Sequence, residues 1–219
     1  LELITKFARI SGVPDSVPDD DVVKMIVEND YGSILEHIVF VFNLKDISVA
    51  LTREILEHRI ASHTARSTRY VEELEPKYYE PIELTSHPKS EKVRKLFSNT
   101  IEECYKAYKE LRQNGVKREF ARYLLPLATL TNYTWTINAR SLINFLILRL
   151  CVRAAPEIQT LARKIYGIVV KLYPEIFENA KCRGYWYGCC PENKARPKNC
   201  YYSFIPTKEE VKQNWLTKK

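Results

Sequence analysis

Residues 130–152 read LTNYTWTINARSLINFLILRLCV, and this stretch decides the fold. Leu130 to Ile137 alternates small polar with aromatic and aliphatic side chains, the period of two shown by a half-buried strand. Arg140 to Val152 is apolar almost throughout, interrupted by Asn144 and Arg149, and is long enough for a helix. A strand that runs straight into a helix sets the pattern sought in the rest of the chain. Upstream, His37 to Leu44 (HIVFVFNL) is β-branched and aromatic and apolar on both faces, so it reads as a central strand. Three amphipathic helices complete the outline. One opens at Asp46-Ile47-Ser48, with Ile47, Leu51 and Ile55 on one face. A second is capped by Ser90 and ended by Gly115, with Val93, Leu96, Phe97, Ile101, Cys104, Tyr108 and Leu111 inward. A third follows Pro156, carries the stripe Ile158, Leu161, Ile165, Val169 and Leu172, and stops near Pro174. The expectation is an α+β fold over residues 1–180, a small and mostly antiparallel sheet flanked by helices. A cysteine-rich irregular tail, residues 181–219, follows it.

The 219 residues are 45% hydrophobic and 28% charged, enough apolar content for a core and too much for a disordered tail. No run approaches the length of a membrane span and LELITKFARI lacks an export-signal pattern, so a cytoplasmic chain without membrane contact is expected. The first residue is Leu1, and a short native N-terminus is expected to precede it. A net charge of +7 suits an anionic partner. No arginine-rich tract, aromatic RNA-binding motif or finger spacing supports nucleic acid as that partner.

The densest polar segment is EHRIASHTARSTRY, Glu57 to Tyr70. Ser67-Thr68-Arg69 offers hydroxyls, backbone N–H groups and a guanidinium within three residues, the donor set a phosphate needs. A solvated basic loop is the plainer reading of the same residues. Arg149 sits in the apolar INFLILRLCV, where burial calls for an anion, a carbonyl or a planar polar ligand; a carboxylate such as Glu157 would serve as well. Asn138 and Arg140 stand at the start of that helix, where N–H groups favour phosphate. Arg122 lies in a short helix ending at Pro126, with Leu124 and Leu125 inward. No G-x-G-x-x-G, P-loop, H-E-x-x-H or G-x-S-x-G motif is present. His58 and His63 lie at poor spacing for one helical face and carry no metal signature. In the tail, Cys182, Cys189, Cys190 and Cys200 could supply thiolates to zinc, yet no C-x-x-C pair is present; free or disulfide-linked cysteines are the plainer reading.

At these residues the chain resembles the flavin-dependent thymidylate synthases. The central motif of that family runs Arg-His-Arg, two residues, Ser, one residue, Asn, two residues, Ser, one residue, Arg-Tyr. His58-Arg59, Ser62, Ser67 and Arg69-Tyr70 match it in register. Further blocks agree in order: Ala8 to Ser11, Ser33 to His37, Glu119 to Pro126, and Asn138 to Leu142 with Asn144-Phe145-Leu146 and Arg149. The similarity covers about residues 8 to 180; set against the family pattern this sequence starts late, and most of the family's first strand is expected to be lacking from it.

The resemblance implies a homotetramer with active sites shared between subunits. It implies FAD as cofactor and conversion of dUMP to dTMP, with methylenetetrahydrofolate supplying the carbon and NADPH reducing the flavin. By position, Ser11, Ser33, His58, Arg59, Asn138, Arg140 and Asn144 would contact FAD. Ser67, Thr68, Arg69 and Arg122 would hold the nucleotide phosphate, and Arg149 would face the pyrimidine as the catalytic group. The pattern is altered at several places. Glu57 stands for the motif's first arginine, Thr64 for its asparagine, Ala65 for a frequent glutamate, Glu54 for a glutamine and Tyr31 for a histidine. After Arg149, Arg153 and Ala155 replace a histidine and a glutamine. Arg53, Arg66 and His63 are the candidates to balance the two added carboxylates. An inactive paralogue that keeps the fold and binds another nucleotide or a protein partner is the alternative these changes imply.

Overall fold

The computed structural model describes residues 1–216. Its first half runs α1 (Glu2–Ile10), α2 (Asp19–Glu28), α3 (Gly32–Leu35), β1 (Val39–Ser48), α4 (Val49–Leu56), β2 (Ala61–Ala65), α5 (Ile82–Ser86) and α6 (Ser90–Gln113). Then come α7 (Arg118–Ala121), β3 (Leu130–Asn138), α8 (Ala139–Arg149), α9 (Pro156–Leu172), α10 (Pro174–Phe177), α11 (Arg183–Tyr187) and α12 (Lys208–Leu216). The α+β class expected from the sequence is therefore observed. Two compact units are present, residues 1–40 with 137–219 as one and residues 41–136 as the other.

The unit of residues 41–136 carries most of a three-stranded sheet of order β1-β3-β2. β3 is the central strand, and its alternation buries Thr131, Tyr133, Trp135 and Ile137 on one face. β1 runs antiparallel to it: the amide of Val49 donates to the Thr129 carbonyl and, at the other end, that of Ala139 donates to Ile38. The reading of His37 to Leu44 as a central strand is thus corrected, since β1 is an edge strand. Its outward residues Val39 and Val41 are 58% and 67% exposed. Apolarity on both faces reported a surface left bare in this single chain, not a position between two strands.

Ser48 caps α4 as its sequence position suggests, its hydroxyl accepting from the Leu51 amide at 2.9 Å. α6 begins after Lys89, so Ser90 is its first residue rather than its cap. At the other end Gly115 takes φ +82°, and the Gly115 and Val116 amides donate back to Arg112 and Leu111, a Schellman closure that only a left-handed residue permits. Ile101, Tyr105 and Tyr108 form the buried face of α6, whereas Leu96, expected inward, is 67% exposed.

In the other unit α8 is the spine. Ala139, Leu142, Ile143, Phe145, Leu146 and Ile147 are buried, and α9 packs on it through Ile158, Ala162, Ile165 and Val169. Pro156 occupies the first turn of α9, where its missing N–H costs nothing. Leu172 at the far end of the expected stripe is exposed. α10 closes against α9 and α2, with Phe177 5.7 Å from the ring of Phe40. Residues 181–216 belong to this unit and carry α11, a 3-10 turn at Asn193–Ala195 and α12; residues 217–219 of the tail lie outside the described residues.

Candidate functional site

The polar segment after α4 is a short strand and a turn. Glu57 caps the C-terminus of α4 and is exposed. His58 is buried edge-on against Trp135 at 6.5 Å, while Arg59 points to solvent. β2 then ends at Ala65, and the Ser67–Tyr70 turn follows, the Tyr70 and Val71 amides donating to the Ser67 carbonyl. Ser67 and Thr68 are half-buried and Arg69 is exposed. The Arg69 guanidinium lies 3.3 Å from a carboxylate oxygen of Glu119 in α7. The Arg118 guanidinium donates to the Tyr70 carbonyl at 2.9 Å, so α7 is tied to the turn from two sides. Arg122 stands just beyond, half-buried in a 3-10 turn, its guanidinium over the Tyr123 ring at 5.6 Å. Leu124, expected inward here, is exposed. A cavity of about 340 Å3 opens at this place, lined by Arg69, Tyr70, Arg112, Lys117, Arg118 and Glu119.

Two side chains considered as counterweights to Glu54 and Glu57 have other partners. Arg66 pairs with the buried Glu73 at 3.1 Å, and His63 Nδ1 sits 2.9 Å from the Tyr133 hydroxyl. Burial pushes the Glu73 carboxyl up, against the opposing pull of Arg66.

In the unit that contains α8, the expected cofactor residues Ser11, Ser33, Arg140 and Asn144 are exposed and Asn138 is half-buried. Arg140 and Asn144 are one helical turn apart on the solvent side. The Arg140 guanidinium crosses Gly32 to reach Glu36 at 2.8 Å, and a Cβ on Gly32 would lie 2.5 Å from Arg140 Nε. This close approach groups Ser33, also exposed, with Arg140. Ser11 lies at the C-terminal cap of α1, where its hydroxyl donates to the Ala8 carbonyl at 2.8 Å. The N–H groups expected at the start of α8 for phosphate are partly taken. The Ala139 amide donates to Ile38, and the Ser141 amide to Asn138 Oδ1 at 2.9 Å. Asn138, Arg140 and Asn144 add polar side chains beside that helix start.

Arg149 corrects the expectation of a deeply buried guanidinium. α8 ends at Arg149 rather than at Val152, and the side chain is half-buried in the last turn, where the negative end of the helix dipole favours a cation. A cavity of about 320 Å3 lies alongside it. Asn144, read as a second polar intrusion, faces outward. Of the tail cysteines, Cys182, Cys190 and Cys200 line that same cavity together with Cys151, which sequence reading did not connect with them. Cys189 is not among the lining residues. Among the described residues no three His, Cys, Asp or Glu are grouped closely enough to hold an ion.

The sequence model of the family described as thymidylate synthase complementing protein matches residues 2–175. The chain belongs to this family. It is 37% identical over 155 residues to the flavin-dependent thymidylate synthase of Sulfurisphaera tokodaii, an alignment covering 71% of this chain and 59% of that protein. It is 36% identical over 190 residues to that of Thermosipho africanus, covering 79% and 82%. The chain thus spans about three fifths of the length of the Sulfurisphaera tokodaii relative and about four fifths of the Thermosipho africanus one. Among solved structures it is similar to the UMP/dUMP methylase PolB of Streptomyces cacaoi bound to 5-Br dUMP. The TM-score is 0.71 at 25% identity, over 80% of this chain and 87% of that one. Family membership makes the departures at Glu54, Glu57, Thr64 and Ala65 features of a family member. No helix among the described residues is long and apolar enough to cross a membrane.

Polar side chains and a glycine that lets Arg140 lie flat on the chain suit a phosphate-bearing dinucleotide. The residues present therefore fit FAD. Glu36 must yield part of its hold on Arg140 for that fit.

Proposed function

We propose that this chain is the subunit of a flavin-dependent thymidylate synthase, which methylates dUMP to dTMP with methylenetetrahydrofolate as carbon donor and NADPH as reductant, through FAD. The observation that carries this reading is the Ser67–Tyr70 turn. It keeps two hydroxyls and a fork-shaped cation together, and its exposed cation is paired with one partly exposed carboxylate at 3.3 Å. An incoming phosphate dianion displaces Glu119 at small cost, because an exposed pair of this kind contributes only about 0–1 kcal/mol.

In this reading Ser67, Thr68, Arg69 and Arg122 hold the nucleotide phosphate. Arg149 contacts the pyrimidine and favours its N3-deprotonated form. Ser11, Ser33, His58, Arg59, Asn138, Arg140 and Asn144 bind and orient FAD. When bound, the flavin supplies the hydride-transfer chemistry, and the protein positions and polarises. The subunits assemble as a homotetramer with shared active sites, which gives the exposed Val39 and Val41 an apolar surface to meet.

The relatives' names and the likeness to a dUMP methylase support the reading. The test is an absorbance scan of freshly purified protein before and after dUMP, followed by tritium release from labelled dUMP with methylenetetrahydrofolate and NADPH. A yellow preparation, perturbed by dUMP and releasing tritium, is expected; colourless protein that FAD cannot reconstitute overturns it. One observation favours a second reading, an inactive paralogue. Glu57 places a carboxylate at the C-terminus of α4, where the helix dipole disfavours it. Flavin binding without tritium release would select that reading.

A further inference from the structure

The connection between α6 and α7 is fixed at both ends. On the α6 side, the Arg112 guanidinium is held by Glu72 at 2.6 Å and donates to the Val116 carbonyl. On the α7 side, the Lys117 carbonyl accepts from the amides of Phe120 and Ala121, both at 3.0 Å. The next two residues are bonded to the Ser67–Tyr70 turn, Arg118 to the Tyr70 carbonyl at 2.9 Å and Glu119 to Arg69 at 3.3 Å. The backbone at Lys117 is therefore set in register with the turn. Lys117 also lines the cavity of about 340 Å3 that Arg69 lines, and all of these residues belong to the unit of residues 41–136.

The cations around this cavity differ in what they are free to do. Arg112 is committed to Glu72 and the Val116 carbonyl, and Arg118 to the Tyr70 carbonyl. Breaking either contact would loosen the frame that holds the turn. Arg69 is paired with Glu119. The exposed Lys117 ammonium, by contrast, has no hydrogen bond or ion pair among the described residues. A phosphate dianion that displaces Glu119 from Arg69 brings two negative charges next to a freed carboxylate. That arrangement calls for a cation not already engaged, and Lys117 supplies one in the same cavity.

We propose that Lys117 is a further substrate-binding residue, whose ammonium donates to the phosphate oxygens of the nucleotide held by the Ser67–Arg69 turn. The inference rests on the reading of that turn as the nucleotide phosphate site. The group recognised is a terminal phosphate monoester dianion. An ammonium is a compact point charge on a flexible stem, so Lys117 follows the anion, while the planar fork of Arg69 fixes its orientation. Sequence reading passed over Lys117 because it is far from the hydroxyl-rich turn along the chain. Only the contacts of Arg118 and Glu119 with that turn bring the two together.

The test compares the full chain with Lys117→Gln and with Lys95→Gln, the same loss of charge at an exposed position of α6 outside the cavity. Binding of dUMP is read by calorimetry and binding of inorganic phosphate by phosphorus NMR line broadening. Lys117→Gln should weaken both ligands by a similar factor, about threefold to tenfold, since the missing contact is to phosphate alone. Lys95→Gln should leave both affinities as they are. Equal affinities in the parent and Lys117→Gln overturn the inference while the proposed function stands. A loss confined to dUMP, or an equal loss in Lys95→Gln, also overturns it. If the parent binds inorganic phosphate through Lys117 but does not bind dUMP, the proposed function fails and the anion contact stands. If the parent binds neither ligand, both fall.

Discussion

The Arg69 guanidinium and the Glu119 carboxylate stand 3.3 Å apart, and their side chains are 51% and 36% exposed. That one contact, with the Arg118 bond to Tyr70, fastens the hydroxyl-rich turn to α7. The geometry is loose enough for an anion to compete. Glu119→Gln should therefore leave thermal stability nearly unchanged and tighten dUMP binding severalfold by calorimetry. Arg69→Lys should weaken it about tenfold or more, because an ammonium cannot reproduce the bidentate fork. Equal dUMP affinity in both variants would remove Arg69 from the phosphate role.

Gly32 tests the cofactor face. A methyl at this position would meet Arg140 Nε at 2.5 Å and Cδ at 2.8 Å, both atoms of a flexible side chain. The guanidinium should swing away and release Glu36, while the backbone of α3 stays in place. Gly32→Ala is thus expected to lower FAD affinity about tenfold, with folding stability within about 1 kcal/mol of the parent, since exposed ion pairs contribute little. Flavin fluorescence titration beside a denaturant curve measures both. Unaltered FAD affinity would mean that the Arg140 side chain does not reach the cofactor.

Glu73 gives a pH dependence. Burial holds its folded-state pKa above the ordinary carboxylate value, in spite of Arg66. The folded state therefore binds this proton more tightly than the unfolded chain. The stabilisation is complete below the unfolded pKa and is lost as pH rises through the raised one. The melting temperature of the parent minus that of Glu73→Gln should accordingly fall as pH climbs from the carboxylate range towards neutrality. A difference that is flat or rising over that interval would contradict the burial effect.

Which of these features the sequence revealed follows from the range of the forces involved. Period-two alternation in β3, the Ser48 cap, Pro156 at the start of α9 and Gly115 at the end of α6 are local signals, and each is realised. Long-range features were harder to read. β1 is apolar on both faces yet lies at an edge, because a composition of Val and Phe says what is buried somewhere and not which strand it borders. Arg149 was read as sunk in a helix because its neighbours are apolar, but the helix stops at that residue. The turn at Ser67–Arg69 was legible because its donors are consecutive. The partners Glu119 and Gly32 were not, since each meets its site from a distant stretch of sequence with no spacing rule to announce it.

The pair of Tyr133 and His63 shows what such a cross-strand partner contributes. The Tyr133 hydroxyl lies 2.9 Å from His63 Nδ1, joining β3 to β2, with the ring centroids 5.9 Å apart. His63 Nε2 is buried with no hydrogen-bond partner. Removing the tyrosine hydroxyl would therefore leave Nδ1 without this partner beside the already unpaired, buried Nε2. Tyr133→Phe should cost about 1–3 kcal/mol, the penalty for one orphaned buried polar group, rather than the smaller net value of a hydrogen bond. Replacing the histidine as well removes the orphan, so Tyr133→Phe with His63→Val should be more stable than Tyr133→Phe alone. Denaturant unfolding of the parent, both single variants and the double variant gives the coupling energy, expected at about 0.5–3 kcal/mol for groups in direct contact. Strict additivity would show that the two side chains do not share a hydrogen bond.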